Sequence, residues 1–367
     1  MQLPVDIKAV IDEALDIDEA RHTALSVSVY LDDTAPNDLQ AHVRQAFASA
    51  SPHARVSLTY LDGRPFAPFE GDDMAVIVAG LNEKAGAYAA ELRAAGVPVM
   101  VVTTLPSIVS ELAARQGCPI PSGDVVAPRT PAPALPADER GAEGADAAPQ
   151  PLEPFSLDAT TAASLDERMG GWVIEACREK RLAFALAFPF ARKPLSLEAV
   201  NATALQNAGV GLLVIIPGAD LPVMTLNQAK MLLMVAAAYG EELNLERVKE
   251  LAALVGGAFA CRAVARQIVA FVPGLGWAVK AAIGYAGTVA MGRAAIQYYE
   301  DGATLSTLSR AVADARDKVV RAAASRAAST ARATGAKAVA GVRGRASEAA
   351  AVARIAASKR FSSGEAR

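Results

Sequence analysis

Residues Leu25 to Leu31 read Leu-Ser-Val-Ser-Val-Tyr-Leu, an alternation rich in β-branched side chains that predicts a strand. Pro36 to Ser49 then carries Leu39, Val43 and Phe47 at helical spacing, which makes a β-α step. Arg55 to Leu61 alternates again before a turn at Asp62-Gly63. Met74 to Ala79 and Val97 to Thr103 are continuous apolar runs, separated by a helical pattern over Glu83 to Ala95. A further helix follows over Pro106 to Gln116, and Asp124 to Val126 supplies a last short strand. Continuous Val- and Ile-rich strands separated by helices indicate a parallel sheet covered on both faces. Residues 1–126 are therefore expected to form a small doubly wound α/β domain.

From 127 to 155 the pattern breaks, with Pro128, Pro131, Pro133, Pro136, Pro149, Pro151 and Pro154 among Ala, Glu and Asp. Such a stretch reads as a linker. Residues 156–303 are helical by pattern: Ser156 to Lys180, Leu195 to Ile216, Thr225 to Tyr239, Asn244 to Phe271 and Trp277 to Tyr299. Only Leu182 to Phe188, with its alternating Ala and larger apolar residues, is expected to be extended. Residues 304–367 form an Ala-rich tail with Arg or Lys every few positions. The expected fold class is thus α/β plus all-α: sheet domain, Pro/Ala linker, helical hairpin domain and basic helical tail.

Composition changes this picture in two ways. Apolar residues make up 52% of the 367, but about 80 of them are alanines, which favour close helix packing and bury little each. The net charge of -3 is a cancellation. Arg310 to Arg367 carries 13 basic and 4 acidic residues, a surplus of 9, which leaves -12 on everything before it. Met1 to Val10 shows no basic region followed by an apolar one, so no signal peptide is expected. Cys118, Cys177 and Cys261 lie far apart, which fits a reducing compartment better than a disulfide framework.

Catalytic chemistry finds little to work with. A nucleotide-hydrolysing sheet domain needs a glycine-rich loop and a lysine after the first strand, to cradle and neutralise phosphate. What stands there is Leu31-Asp32-Asp33-Thr34-Ala35-Pro36-Asn37. The acidic pair is placed like the magnesium-binding pair of a receiver domain. However, Val78-Ala79-Gly80-Leu81-Asn82 and Val102-Thr103-Thr104-Leu105 lack the phospho-accepting Asp and the Lys that a receiver needs. Asp32, Asp33 and Thr34 are therefore expected to be solvated loop residues, one of them capping the helix at Pro36. Gly71-Asp72-Asp73 reads as a turn entering a strand. His22, His42 and His53 all fall in the first segment, so neither a His-based triad nor a zinc site is expected in the rest of the chain. The chain is not expected to be an enzyme or to carry a cofactor or metal.

In the helical part, Leu205 to Gly240 contains Ile216-Pro217, Asp220, Thr225, Gln228 and Met231. Cys261 to Tyr299 contains Pro273-Gly274, Gly276, Gly284, Thr288 and Gly292. In order and spacing these residues resemble the helical "domain of unknown function 697" family. That family follows a GTP-binding domain in some bacterial GTPases and also occurs in predicted membrane proteins without one. The resemblance covers Leu205 to Tyr299, about a quarter of the chain, and implies membrane association and kinship with GTPase modules. It also implies that the sheet domain is a degenerate G-domain-like module. Where the guanine-reading motif would follow a late strand, this chain has Thr103-Thr104-Leu105-Pro106.

Trp277 to Tyr299 is long enough to span a bilayer, with Trp277, Lys280, Arg293, Tyr298 and Tyr299 as candidate membrane anchors. A compact helical bundle outside the membrane is the equal alternative, because Arg262 and Arg266 interrupt the preceding apolar stretch. Asp220, Thr225, Gln228, Pro273, Gly274 and Gly276 are the candidate interaction or hairpin-turn residues. The bland reading makes them helix-start and turn residues. The function expected is a non-enzymatic membrane-associated scaffold or interaction protein on the cytoplasmic side of the cell membrane. Its partners would be anionic inner-membrane lipid and a protein, a GTPase by the resemblance. Nucleic acid is not expected as a partner, because Arg310 to Arg360 lacks aromatics for base stacking. The alternative is a soluble, cytoplasmic ligand- or nucleotide-sensing regulator whose output is the helical bundle.

Overall fold

A computed structural model describes residues 7–49, 51–63, 65–129, 157–213, 221–243 and 276–301. The sheet is built from β1 (Leu25–Leu31), β2 (Ala54–Tyr60), β3 (Met74–Val78), β4 (Val99–Val102) and β5 (Val125–Val126). All pairings are parallel, in the order β2-β1-β3-β4-β5. The helices are α1 (Ile7–Arg21), α2 (Asn37–Ala46), α3 (Ala85–Ala94), α4 (Pro106–Arg115), α5 (Ala159–Ala176), α6 (Arg181–Ala187), α7 (Arg192–Leu213), α8 (Leu221–Ala238) and α9 (Gly276–Glu300). The doubly wound sheet followed by helices is the expected fold class, with strand and helix ends shifted by a few residues.

Each face of the sheet has its own core. Tyr30, Ala75, Ile77, Val99 and Val101 pack against Ala89 and Leu92 of α3 and Val109 and Ala113 of α4. The opposite face presents Val27, Val29, Leu31, Val76, Val78, Met100 and Val102. There α2 supplies Leu39 and Val43, with Phe47 just beyond it, but α2 alone does not cover five strands. The rest comes from beyond the linker: Leu165, Met169 and Val173 of α5, and Ala183, Phe184 and Ala187 of α6 with Phe188 after it. Leu165, Met169 and Val173 have no exposed surface. Burying side chains of this size contributes about 1.5–3 kcal/mol each.

The core therefore runs across the linker, and α5 and α6 are structurally part of the sheet layer. The reverse holds for α1, whose Val10, Ala14 and Ile17 pack with Leu182, Leu195, Val200, Leu232 and Ile296 in the helical core. Lys230 Nζ lies 2.7 Å from Glu13 Oε2, and the Arg21 guanidinium donates to the carbonyls of Gly240 and Glu241 past the end of α8. These contacts tie α1 along α8.

Of Leu182 to Phe188, expected to be extended, all but Phe188 is helical in α6. The physical reason is its position between two cores. Ala183, Phe184 and Ala187 face the sheet, while Leu182 and Ala185 face the bundle. A short helix buried on both sides is apolar at every turn, and alternating small and large residues then mimic strand periodicity.

No described helix is long and apolar enough to cross a membrane. The span expected over Trp277 to Tyr299 lies within α9, which packs along α7. A side chain at Gly292 would collide with Val200 of α7, so the small residues of α9 serve close helix contact.

The junction of α2 and α5 carries a titrating contact: His42 Nε2 lies 2.7 Å from Asp166 Oδ1. The hydrogen bond from Asp166 raises the His42 pKa, against the opposing effect of burial. Because the folded value exceeds the unfolded one, the contact's stabilisation is complete below about pH 6.5 and is lost as pH rises through the folded value. Thermal unfolding should place wild type above Asp166→Asn near pH 6, with the gap narrowing toward about pH 9. A gap that stays constant or widens with pH would refute this role.

Candidate functional site

In open α/β sheets, ligands bind beyond the carboxyl ends of the strands, at the point where strand order reverses. Here that point lies between β1 and β3, where the loops after Leu31 and Val78 meet. Asp32 sits in this crevice with only 2% of its surface exposed. One oxygen, Oδ2, accepts from the Gly80 N–H at 2.8 Å and the Thr34 hydroxyl at 2.7 Å, and Oδ1 accepts from the Thr34 N–H at 3.0 Å. The Thr34 hydroxyl in turn accepts from the Leu81 N–H at 2.7 Å. Behind them Gln40 Nε2 donates to the carbonyls of Asp32 and Ala35. A side chain at Gly80 would run into the Thr34 backbone, so glycine permits the two loops to touch.

The crevice is thus occupied by the chain itself. N–H groups that a phosphate-binding loop would offer a ligand are spent on the Asp32 carboxylate, and that carboxylate would repel phosphate. The expectation of a solvated or helix-capping Asp32 is corrected: α2 has Pro36 at its N-cap with no side-chain cap, and Asp32 pins two loops instead. Asp33 is exposed, as expected.

A second polar cluster lies at the opposite rim. Asp72, in the expected turn entering a strand, is buried; its Oδ1 accepts from the Ser26 hydroxyl at 2.7 Å and pairs with Arg55 at 3.2 Å. Asp73 accepts from the Ser26 N–H at 2.9 Å and pairs with Lys180 at 2.6 Å. Next to it a surface cavity of about 330 Å³ is lined by Asp73, Cys177, Lys180 and Phe184. Burial, then the Asp73 charge, pushes the Cys177 thiol up to about 12. The thiolate that nucleophilic chemistry requires is therefore scarce at neutral pH. Among the described residues no group of His, Cys, Asp and Glu could hold a metal ion.

The third cluster joins three helices of the bundle. Thr288 of α9 accepts from Gln228 of α8 at 2.9 Å and from Asn207 of α7 at 3.0 Å, and its hydroxyl donates to the Gly284 carbonyl at 2.8 Å. Asn227 donates to Asn207 Oδ1 at 3.0 Å. Asn207, Gln228, Thr288 and neighbouring Thr225 are at most 1% exposed. None of these groups titrates near neutral pH. What the arrangement does is fix the relative register of α7, α8 and α9, because a slip would leave several buried polar groups unpaired.

Of the residues singled out from sequence, Gln228, Thr288 and Gly284 enter this cluster, and Thr225 is buried one turn before Gln228 on α8. Tyr299, expected as a membrane anchor, stacks on Tyr239 just past α8 with ring centroids 5.4 Å apart, and Tyr298 packs edge-on against Tyr299. Arg293 is exposed. Gly276 is the first residue of α9, while the side chains of Trp277 and Lys280, with Asp220, Pro273 and Gly274, lie outside the described residues. Sequence reading missed Asn207 and Asp72. Asn207 had a usable signal in standing seven and three residues after Val200 and Ala204, at the spacing of the buried face of α7, but Asp72 had none, since a buried acid in Gly-Asp-Asp looks like any turn.

Replacing Asp32 by Ala strands the Gly80 N–H and the Thr34 hydroxyl. Urea unfolding should show a loss of about 2–4 kcal/mol. A loss below about 0.5 kcal/mol would contradict the pinning role. Comparison with protein-family models, with curated proteins and with solved structures yields no match to this chain.

Proposed function

We propose that this chain is a non-enzymatic interaction protein that works at the cytoplasmic face of the cell membrane. It binds anionic lipid and a protein partner, the resemblance pointing to a GTPase system. The observation that carries the non-enzymatic reading is the Asp32–Thr34–Gly80 closure of the crevice. With its customary ligand position filled, the sheet is a platform whose contribution is its outer surface. The same closure weighs against the nucleotide-sensing alternative. The lipid reading rests on charge: a tail surplus of 9 basic residues behind a body at -12. Basic residues near an anionic leaflet contribute about 1 kcal/mol each, which several together turn into stable peripheral binding without a spanning helix.

Vesicle flotation with the full chain tests this reading. Vesicles containing phosphatidylserine should carry the protein at low salt and release it as salt rises, because charges beyond a Debye length are screened. Vesicles of phosphatidylcholine alone should not carry it, and GTP with magnesium should leave the distribution unchanged. Failure to float with the anionic vesicles would sink the membrane role, and a GTP-dependent shift would overturn the closed crevice.

A further inference from the structure

The two edges of the sheet are treated differently. Along β5, α5 lays down a series of polar contacts: Trp172 Nε1 to Asp124, Arg168 to the Ala127 carbonyl at 2.7 Å, and Ser164 accepting from the Arg129 N–H at 3.0 Å. That edge is covered. β2 is the other edge, and the described residues between it and β3 contain no helix. Leu58 and Tyr60 are 50% and 48% exposed on it. Open edges are ordinarily guarded by charge, Pro or a bulge. The one charge in β2, Arg55, is half exposed, but it is paired with Asp72 at 3.2 Å and lies over the Phe69 ring at 4.5 Å, so no unpaired charge of β2 guards the edge.

The free backbone groups of β2 can be assigned. The Leu25 N–H donates to the His53 carbonyl and the Leu61 N–H to the Leu31 carbonyl. With the parallel register Leu25↔Ala54 through Leu31↔Tyr60, the odd-numbered residues of this segment bond to β1. The outward groups are therefore the N–H and C=O of Val56, Leu58 and Tyr60 and the C=O of Ala54, whose N–H donates to the Ser51 carbonyl at 3.3 Å.

We propose that β2 pairs antiparallel with β2 of a second copy of this chain, across a two-fold axis at Ser57, joining two five-stranded sheets into one. This register sets Val56 opposite Leu58 and Ala54 opposite Tyr60 as hydrogen-bonded pairs, and Arg55 opposite Thr59 in a non-bonded pair. Val56 and Leu58 use all their outward backbone groups, the Tyr60 N–H reaches the Ala54 carbonyl, apolar side chains meet apolar ones, and the two Arg55 side chains are kept apart. The strand is thus complementary to itself, which a two-fold interface requires and a foreign strand does not. Because α5 already covers β5, the pairing consumes the edge that the described residues leave open, and the assembly closes as a dimer. The inference is independent of the membrane reading.

Sedimentation velocity on the full chain at tens of micromolar should give a mass twice the 37.9 kDa of one chain. Leu58→Pro deletes an outward N–H that β1 does not use, and Leu58→Lys adds a guarding charge with the backbone intact; both should sediment as monomers. Leu15→Lys, on the exposed face of α1, should remain dimeric. Ser57→Cys should yield an interchain disulfide under a mild oxidant, which the unaltered chain does not. A monomeric wild type, a dimer that survives both Leu58 changes, or a Ser57→Cys chain that does not crosslink would overturn the proposal.

Discussion

A parallel sheet has two apolar faces, and each must be buried under helices before the strands are stable. In this chain α3 and α4 cover one face, whereas the segment before the linker supplies only α2 to the other. Val76, Val78, Met100 and Val102 would then be left partly in water. The deficit is met by α5 and α6, which return after the linker and lay Leu165, Met169, Val173 and Phe184 over the exposed strands. Much of the architecture follows from that demand. Because α6 is committed to the sheet on one side, the bundle can pack on its other side, through Leu182 and Ala185. The aromatic rings of Phe47, Phe188 and Phe190, with Phe47 5.1 Å from each of the others, close the joint.

The same economy of polar groups accounts for the contact between the loops after β1 and β3. A buried carboxylate must be matched by donors, and Asp32 takes them from the neighbouring loops. Those donors are the ones a phosphate would have used. The bundle's polar cluster obeys the same rule: Asn207, Gln228 and Thr288 satisfy one another, so what they specify is helix register. In both places buried polarity organises structure, and the chain's dealings with partners are left to its surfaces and its charged tail.

Much of the sheet was legible in sequence, because runs such as Met74 to Ala79 are apolar at every position and only a strand buried on both faces needs that. The ownership of α5 was not. Leu165, Met169 and Val173 announce a buried helical stripe, but periodicity does not say which surface does the burying. Leu182 to Phe188 failed for a related reason, since a helix between two cores loses its polar face and with it the 3.6-residue signal. The stripe of Val10, Ala14 and Ile17 in α1 was there to be read, among acidic neighbours that dilute it. For Asp32, the Asp-x-Thr spacing hinted at a local turn, yet its tie to Gly80 joins residues 48 positions apart. Gln228, singled out through a resemblance, proved to meet Thr288, which only the crossing of α8 and α9 could reveal.

The central claim is that α5 and α6 complete the sheet across the linker, and controlled cleavage tests it most directly. A specific protease site placed between residues 130 and 156 allows the full chain to fold first and be cut afterwards. Size exclusion in native buffer should then recover both pieces in one peak, parting only in denaturant, and unfolding should remain a single transition. Two separate folded pieces after cleavage, with the first keeping its circular dichroism alone, would contradict the account.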